Sequence, residues 1–210
     1  PVDEFDRLIL RSGNGKAWTS PWRALSGGGN SLTRTTYFRD QFARDLQAST
    51  GQDYVPGTFV HLYINGHYWG LYNPVERPDE FLAAGHLGGD DDDYDVIKWR
   101  RGVGHQVAAG DDEGWNELIS LVRGNTQNAA TYSEIQELLD LENFVDYLLV
   151  NFFIGNQDWV DNNVYAMRNR KLDAPFRFYC WDSEESLLSV GRNSTTQNVS
   201  DTCLEIHQAL

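Results

Sequence analysis

Hydrophobic and polar positions are most clearly ordered over residues 59–72, on either side of the dipeptide Asn65-Gly66. Asn-Gly is the strongest two-residue hairpin signal, because a type I′ turn needs a positive φ at both central positions. The pattern therefore predicts a β-hairpin with one continuous apolar face. The predicted cross-strand pairs on that face are Ile64–His67, Leu62–Trp69 and Val60–Leu71.

The other apolar positions predict a mixture of helices and short strands. A helix over residues 34–49 is indicated by Phe38, Phe42 and Leu46, which recur every four residues. Asp140 can cap a second helix, which ends at Gly155 and is apolar on most sides, so we expect it to be buried. Further helices are predicted near 79–84, from the Asp112 cap to Gly124 and from the Thr131-x-x-Glu134 capping box, with strands at 5–11, 95–99, 164–168 and 176–181.

Composition limits the classes of function. The 210 residues are enough for a single domain, and they carry a formal net charge of −14. A surface this acidic repels nucleic-acid phosphates and anionic lipids, so neither is an expected partner. No apolar run reaches the 18 residues of a membrane-spanning helix. Cys180 and Cys203 can pair or stay free, and the sequence leaves both states open.

The acidic run Asp90–Asp93 invites comparison with a calcium-binding loop. Counted from Asp91, however, the sixth position is Val96 rather than glycine, and the twelfth is Gly102 rather than glutamate. The run is therefore expected to be a solvated turn.

Three polar residues after the buried helix suggest phosphoryl transfer. Asp158 is followed five residues later by Asn163, and a predicted hairpin then leads to Asp182. Transfer of a nucleotide phosphoryl group needs a carboxylate near the acceptor hydroxyl and oxygen ligands that hold Mg²⁺ against the phosphates. Protein kinases supply these groups from a loop, a hairpin and a second aspartate in this order. Taken alone, the loop is explained equally by helix-exit turns whose Asn and Asp side chains bond nearby backbone.

Three stretches make a family resemblance specific. VHLYINGHYWGLYNPVERPDEF, ENFVDYLLVNFFIGNQDWVDNNVYAMR and FRFYCWDSEESL resemble the CotH kinase family, atypical secreted kinases named for a spore-coat protein. The resemblance covers roughly Phe5 to Leu188. It implies an α+β, atypical protein-kinase-like fold in which a small antiparallel sheet accompanies a helical lobe with a catalytic-loop hairpin. It also implies one domain over residues 1–210, incomplete at the N-terminus and at the C-terminus.

The resemblance also assigns roles. It implies Asp158 as the catalytic-loop aspartate, and Asp182, Asn163 and Asn162 as metal ligands. The implied cofactors are ATP with Mg²⁺ or Mn²⁺, the implied substrate is a protein with a Ser or Thr hydroxyl, and the implied location is secreted or at the cell surface. Many members have a further Asp where this chain has Cys180; Glu184, two residues after Asp182, is a candidate replacement.

The nucleotide side of such a site has weaker candidates. Lys98 lies on a predicted strand and can hold phosphate, although it can equally be a surface residue. Glu76 falls where kinases place the hinge that meets adenine, or else forms a structural ion pair. Gly27–Gly29 can cradle phosphate or be a plain loop. We expect the main phosphate anchor to precede Pro1.

Two other functions compete with the kinase hypothesis. One is a non-catalytic secreted pseudokinase or cell-surface adhesion module, which the cysteine at position 180 favours. The other is a hydrolase that uses Asp158 and Asp182 as a carboxylate pair, which would leave Asn163 without a role.

Overall fold

The computed structural model describes residues 6–13, 36–191, 193–195 and 204–210. The predicted helix start at residues 34–35, the Gly27–Gly29 loop and Cys203 lie outside these ranges. In chain order the elements are β1 (Leu8–Arg11), α1 (Arg39–Ser49), β2 (Val60–Ile64), β3 (His67–Glu76), α2 (Glu80–Leu87), β4 (Tyr94–Arg100), β5 (Gly104–Ala109), α3 (Glu113–Val122), α4 (Ala129–Leu138), α5 (Leu141–Phe153), β6 (Val164–Asn169), β7 (Arg177–Tyr179) and α6 (Leu204–Ala209).

The strands form two antiparallel sheets. One has three strands in the order β1-β3-β2, and the other has four in the order β5-β4-β6-β7. Helices and antiparallel sheets are combined in one fold, which confirms the α+β prediction.

The four-stranded sheet is buried on both faces, because successive side chains of a strand point to opposite sides. On one face Ile97, Ala166 and Phe178 pack against helices α3 to α5 in the main core. On the other face Val96 and Met167 belong to a second, smaller core, which includes residues of α2. Each strand therefore serves two cores.

Helix α5 confirms the prediction of a helix capped by Asp140, whose side chain accepts a hydrogen bond from the Asn143 N–H at 3.0 Å. Phe144 and Leu148 are buried in the main core. The expectation of burial on most sides is wrong for one stripe, however, since Val145, Leu149 and Phe153 are exposed, Phe153 at 74%.

The predicted hairpin forms, but its register is only partly as expected. Asn65 and Gly66 have φ of 50° and 80°, and Ile64 pairs with His67 as predicted. A bulge then intervenes, so Leu62 pairs with Gly70 and Val60 with Tyr72. The reason is one extra residue on β3, which moves every later side chain to the other face. The predicted pairs Leu62–Trp69 and Val60–Leu71 are therefore wrong, and Trp69 is 62% exposed.

Two further local predictions are wrong. Helix α4 begins after Asn128, whose side chain accepts from the Ala130 N–H at 2.9 Å, so the proposed cap at Thr131 lies inside the helix. Strand β5 has no period-two apolar pattern and was not predicted. It forms because β4 offers it a full antiparallel partner from Val96 to Arg100.

The acidic run Asp90–Asp93 forms a short 3₁₀ turn with a reciprocal capping box between Asp90 and Asp93. The expectation of a fully solvated turn is wrong for Asp93, which is buried. Its carboxylate forms an ion pair with Lys171.

Helix α1 turns a polar face inward. Phe38 is exposed, whereas Asp40, Arg44 and Gln47 are buried. Gln47 acts as a strand partner for β7: its amide donates to the Phe178 carbonyl at 2.7 Å and accepts from the Cys180 N–H at 2.8 Å.

This contact gives a stability prediction. Gln47→Met keeps the side-chain volume but leaves the Phe178 carbonyl and the Cys180 N–H unpaired, so we expect the free energy of unfolding to fall by about 2–4 kcal/mol. Denaturant unfolding measures the change. Gln136→Met, on the exposed face of α4, is the matched control. Equal stability of the two variants would show that water replaces the Gln47 amide.

Candidate active site

The loop that follows α5 is fixed by backbone bonds to the segment after β7. The Gln157 N–H donates to the Glu185 carbonyl at 3.0 Å, and the Leu187 N–H donates to the Ile154 carbonyl at 2.7 Å. Within the loop, Val160 has a φ of 79°. This region disfavours β-branched residues, so the surrounding structure must impose the conformation. The loop has a defined shape rather than a loose one.

Asp158, Asn162 and Asn163 form one cluster in this loop. The Asn162 amide lies 3.3 Å from the Asp158 carboxylate, and the Asn163 amide lies 3.2 Å from it. Asn163 adopts a left-handed backbone conformation with φ 56°, which a short polar side chain tolerates. The same amide reaches the main-chain oxygen of Asp182 at 3.5 Å. Asn163 therefore joins the loop to the segment after β7.

Asp182 also has a left-handed backbone, with φ 53°, directly after strand β7. This turn sends its carboxylate to the guanidinium of Arg11 on β1. Arg11 also bonds Glu184 at 2.9 Å and Asp40 at 2.9 Å, and its side chain is only 15% exposed. Burial alone would lower the pKa of Arg11, but the three carboxylates outweigh it and raise the pKa. Arg11 was not predicted as a site residue, since an arginine on a short strand has no motif.

Glu184 is the carboxylate with the most unusual protonation. Burial raises the pKa of Glu184 to about 7, although the Arg11 guanidinium opposes the shift. The group therefore changes charge near neutral pH, beside Asp182.

A second arginine lies at the other end of the cluster. Arg101, in the turn between β4 and β5, lies 3.0 Å from the Asp158 carboxylate and bonds both oxygens of Asp161 at 2.8 and 2.9 Å. Its side chain is 56% exposed, in contrast to Arg11. Arg101 also had no sequence signal, because the unpredicted strand β5 creates the turn that carries it.

Cys180 is a packing residue in this structure. It is free and buried in the main core, and its Sγ accepts from the Asn151 amide at 3.6 Å. Burial raises the pKa of the thiol, so it stays protonated. Asp40 of α1 brings in a carboxylate that the sequence did not suggest: it accepts the Ser183 N–H at 2.9 Å, next to Asp182.

Lys98 is half-buried on β4 and pairs in register with Tyr165 of β6. It therefore shares a sheet face with Tyr165, which packs in turn on Trp181 at a ring distance of 6.2 Å. Arg11 lies over Trp181 at 5.0 Å. Lys98 thus stands on the same side of the sheet as the Arg11 cluster.

Glu76 lies at the end of β3 with its carboxylate 3.0 Å from the His86 ring. This contact matches the structural-pair alternative for Glu76. Within the ranges that the structure describes, there is no group of three or more His, Cys, Asp or Glu residues arranged to hold a metal ion. Nor do those ranges contain a helix long and apolar enough to cross a membrane.

Comparison with known proteins bears on this geometry. A comparison with curated proteins finds no match. In a comparison with protein families, residues 29–206 match the model described as CotH kinase protein. The match covers most of the chain and includes the loop from Asp158 to Asn163 and Asp182, while Arg11 lies before it. The chain belongs to the CotH kinase family.

Proposed function

We propose that this chain is a metal-dependent phosphotransferase that moves the γ-phosphoryl group of ATP to a Ser or Thr hydroxyl of a protein. The observation that carries the proposal is the Asn163 amide, which contacts both the Asp158 carboxylate and the main chain of Asp182. Phosphoryl transfer needs an acceptor-side carboxylate and metal ligands at one place. Family membership supports the same reading, including an atypical kinase-like arrangement of the small sheet and the helical lobe.

In this proposal Asp158 accepts the proton of the acceptor hydroxyl. Its position, at the end of a fixed loop and beside an exposed arginine, suits a group that must meet a second protein. A carboxylate placed within hydrogen-bond reach of a hydroxyl contributes roughly 10²–10⁴-fold to such a step.

Asp182, Asn163 and Asn162 would hold Mg²⁺ or Mn²⁺, with Glu184 and Asp40 as nearby carboxylates. The donor set fits, because these hard cations prefer carboxylate and amide oxygens. Three of the carboxylates converge on the Arg11 guanidinium, so the position already favours positive charge. A bound metal would neutralise the phosphates of ATP during transfer.

On the nucleotide side, Lys98 is the stronger candidate, because it shares a sheet face with the aromatic pair Tyr165 and Trp181 near Arg11. Glu76 is proposed more weakly, since His86 holds its carboxylate. From the family resemblance alone we also propose a secreted or cell-surface location, which cell fractionation tests.

One observation favours a non-catalytic binding module instead. Arg101 and Arg11 neutralise Asp158 and Asp182 respectively, so both key carboxylates are engaged by the protein itself. Enzyme and binder are separated by the following experiment.

The two aspartates are expected to fail differently when changed. Asp158→Asn removes the proton acceptor but keeps the size of the side chain, so transfer should fall by roughly 10²-fold or more while Mg-ATP still binds. Asp182→Asn removes a ligand charge, so both Mg-ATP binding and transfer should fall. Radiolabel transfer from ATP with Mg²⁺ or Mn²⁺, together with calorimetry, measures both quantities.

Asp173→Asn is the control, because this exposed residue also has a left-handed backbone, with φ 49°. If the wild type transfers no label with either metal and both variants bind a partner protein as it does, the chain is a binding module.

The raised pKa of Glu184 predicts a pH-dependent stability. A carboxyl group with a raised pKa holds its proton more tightly in the folded chain, so its stabilising contribution is full below the unfolded value of 4.5 and is lost as the pH rises through about 7. Glu184→Gln cannot ionise, so we expect its Tm relative to wild type to rise between pH 5 and pH 8.

Thermal melts across this range measure the difference. Glu137→Gln, on the exposed surface of α4, is the control and should show a constant offset. A constant offset for Glu184→Gln as well would show that Glu184 is already ionised at pH 5.

A further inference from the structure

A cavity of about 330 Å³ lies between the β4–β5 hairpin and helix α3, away from Asp182. Its lining includes Trp99, Val103, His105, Trp115, Ile119 and Glu205. This volume is at the lower end of the range of ligand sites. It suits one ring-sized group rather than a nucleotide.

The walls of the cavity are aromatic and fixed. The Trp99 ring lies 5.5 Å from His105 and 6.0 Å from Trp115 between centroids. His105 is held by Asp112 at 3.3 Å. Rings held at tilted angles leave faces and edges for another ring to pack against.

The floor contains a hydrogen-bond donor without an acceptor. Trp115 is 1% exposed, and its indole N–H has no hydrogen-bond partner in the structure. Buried polar groups are nearly always bonded, and an unmet donor costs about 1–3 kcal/mol. Because Trp115 lines the cavity, an oxygen atom on a bound group can supply the missing acceptor.

The charges around the cavity argue against an anion. Arg123 at its edge is engaged by both oxygens of Glu205, at 2.8 and 3.1 Å, and His105 faces Asp112. The chain also carries a net charge of −14. A neutral ring with a hydroxyl group fits best, since the oxygen can accept from Trp115 and the hydroxyl can donate to Glu205.

The cavity is continuous with the candidate catalytic loop. Trp99 pairs with His105 in the ladder, and two residues beyond Trp99 the same hairpin reaches Arg101, which contacts Asp158. At about 3.3 Å per residue, two strand residues span roughly 7 Å. An extended peptide with its hydroxyl at Asp158 would therefore reach the cavity with a side chain about three residues away.

We propose that this cavity binds a tyrosine side chain of the acceptor protein, about three residues from the hydroxyl that receives phosphate. The position relative to that hydroxyl rests on the proposed function, whereas binding of the tyrosine itself does not. The cavity is thus a docking site that selects the acceptor.

Peptide binding to the full chain tests the proposal. The probes are decapeptides with one serine and with tyrosine, phenylalanine or alanine three residues away on either side. Calorimetry without ATP should show the tyrosine peptide binding roughly tenfold more tightly than the phenylalanine peptide, as expected for one added hydrogen bond, and more tightly still than the alanine peptide. In NMR spectra the indole N–H of Trp115 should shift only with the tyrosine peptide.

Val103→Trp and Val107→Trp form a matched pair. Both residues are exposed, but only Val103 lines the cavity. Val103→Trp should weaken tyrosine-peptide binding by roughly tenfold or more, as expected for a blocked pocket, and Val107→Trp should not. Equal binding of the tyrosine and alanine peptides, or equal behaviour of the two variants, would overturn the proposal. So would a neutral monosaccharide that binds when no peptide does.

The same measurements separate this proposal from the proposed function. Tyrosine-selective binding without phosphate transfer supports the docking site and contradicts the kinase activity. Transfer without tyrosine selectivity supports the kinase activity and overturns the docking site.

Discussion

The polar inner face of α1 is the constraint on which the rest of the structure depends. Arg44 is fully buried and bonds Asn73 of β3 at 2.8 Å, while Gln47 bonds the backbone of β7. The helix thereby ties the three-stranded sheet to the four-stranded sheet. Buried charges are tolerated only when they are paired and hydrogen-bonded, so the two sheets must keep this spacing for Arg44 and Asp40 to remain satisfied. An apolar interface would permit sliding; this one does not.

The same helix sets the geometry of the candidate site. Asp40 bonds the Ser183 N–H on one side and Arg11 on the other, so the segment with Asp182 is held between α1 and β1. The left-handed backbones of Asp182 and Asn163 are maintained because both ends of their segments are fixed by such bonds. The order Asp, Asn and Asp along the chain has a spatial counterpart only through these supports.

The sequence predicted what depends on local pattern. The Asn65-Gly66 turn and the Asp140 cap carry recognisable signals, and the loop from Asp158 to Asn163 was identified by its spacing. The polar face of α1 could not be predicted, because pattern analysis looks for apolar stripes. Arg11 and Arg101 were missed because their partners lie up to 173 positions away in the chain, as for Arg11 with Glu184. The bulge at Leu62 was missed because one inserted residue leaves no mark on composition.

The two arginines differ in how easily each can leave its carboxylates. Arg11 is mostly buried among Asp40, Asp182 and Glu184, and removing it would leave uncompensated buried charge, which is strongly unfavourable. Arg101 is largely exposed, and exposed ion pairs contribute about 0–1 kcal/mol, so a binding partner can replace it at little cost. The metal side of the proposed site is therefore fixed, whereas the acceptor side is exchangeable. The aromatic cavity lies on the hairpin that carries Arg101, where a docked peptide would compete for Asp158.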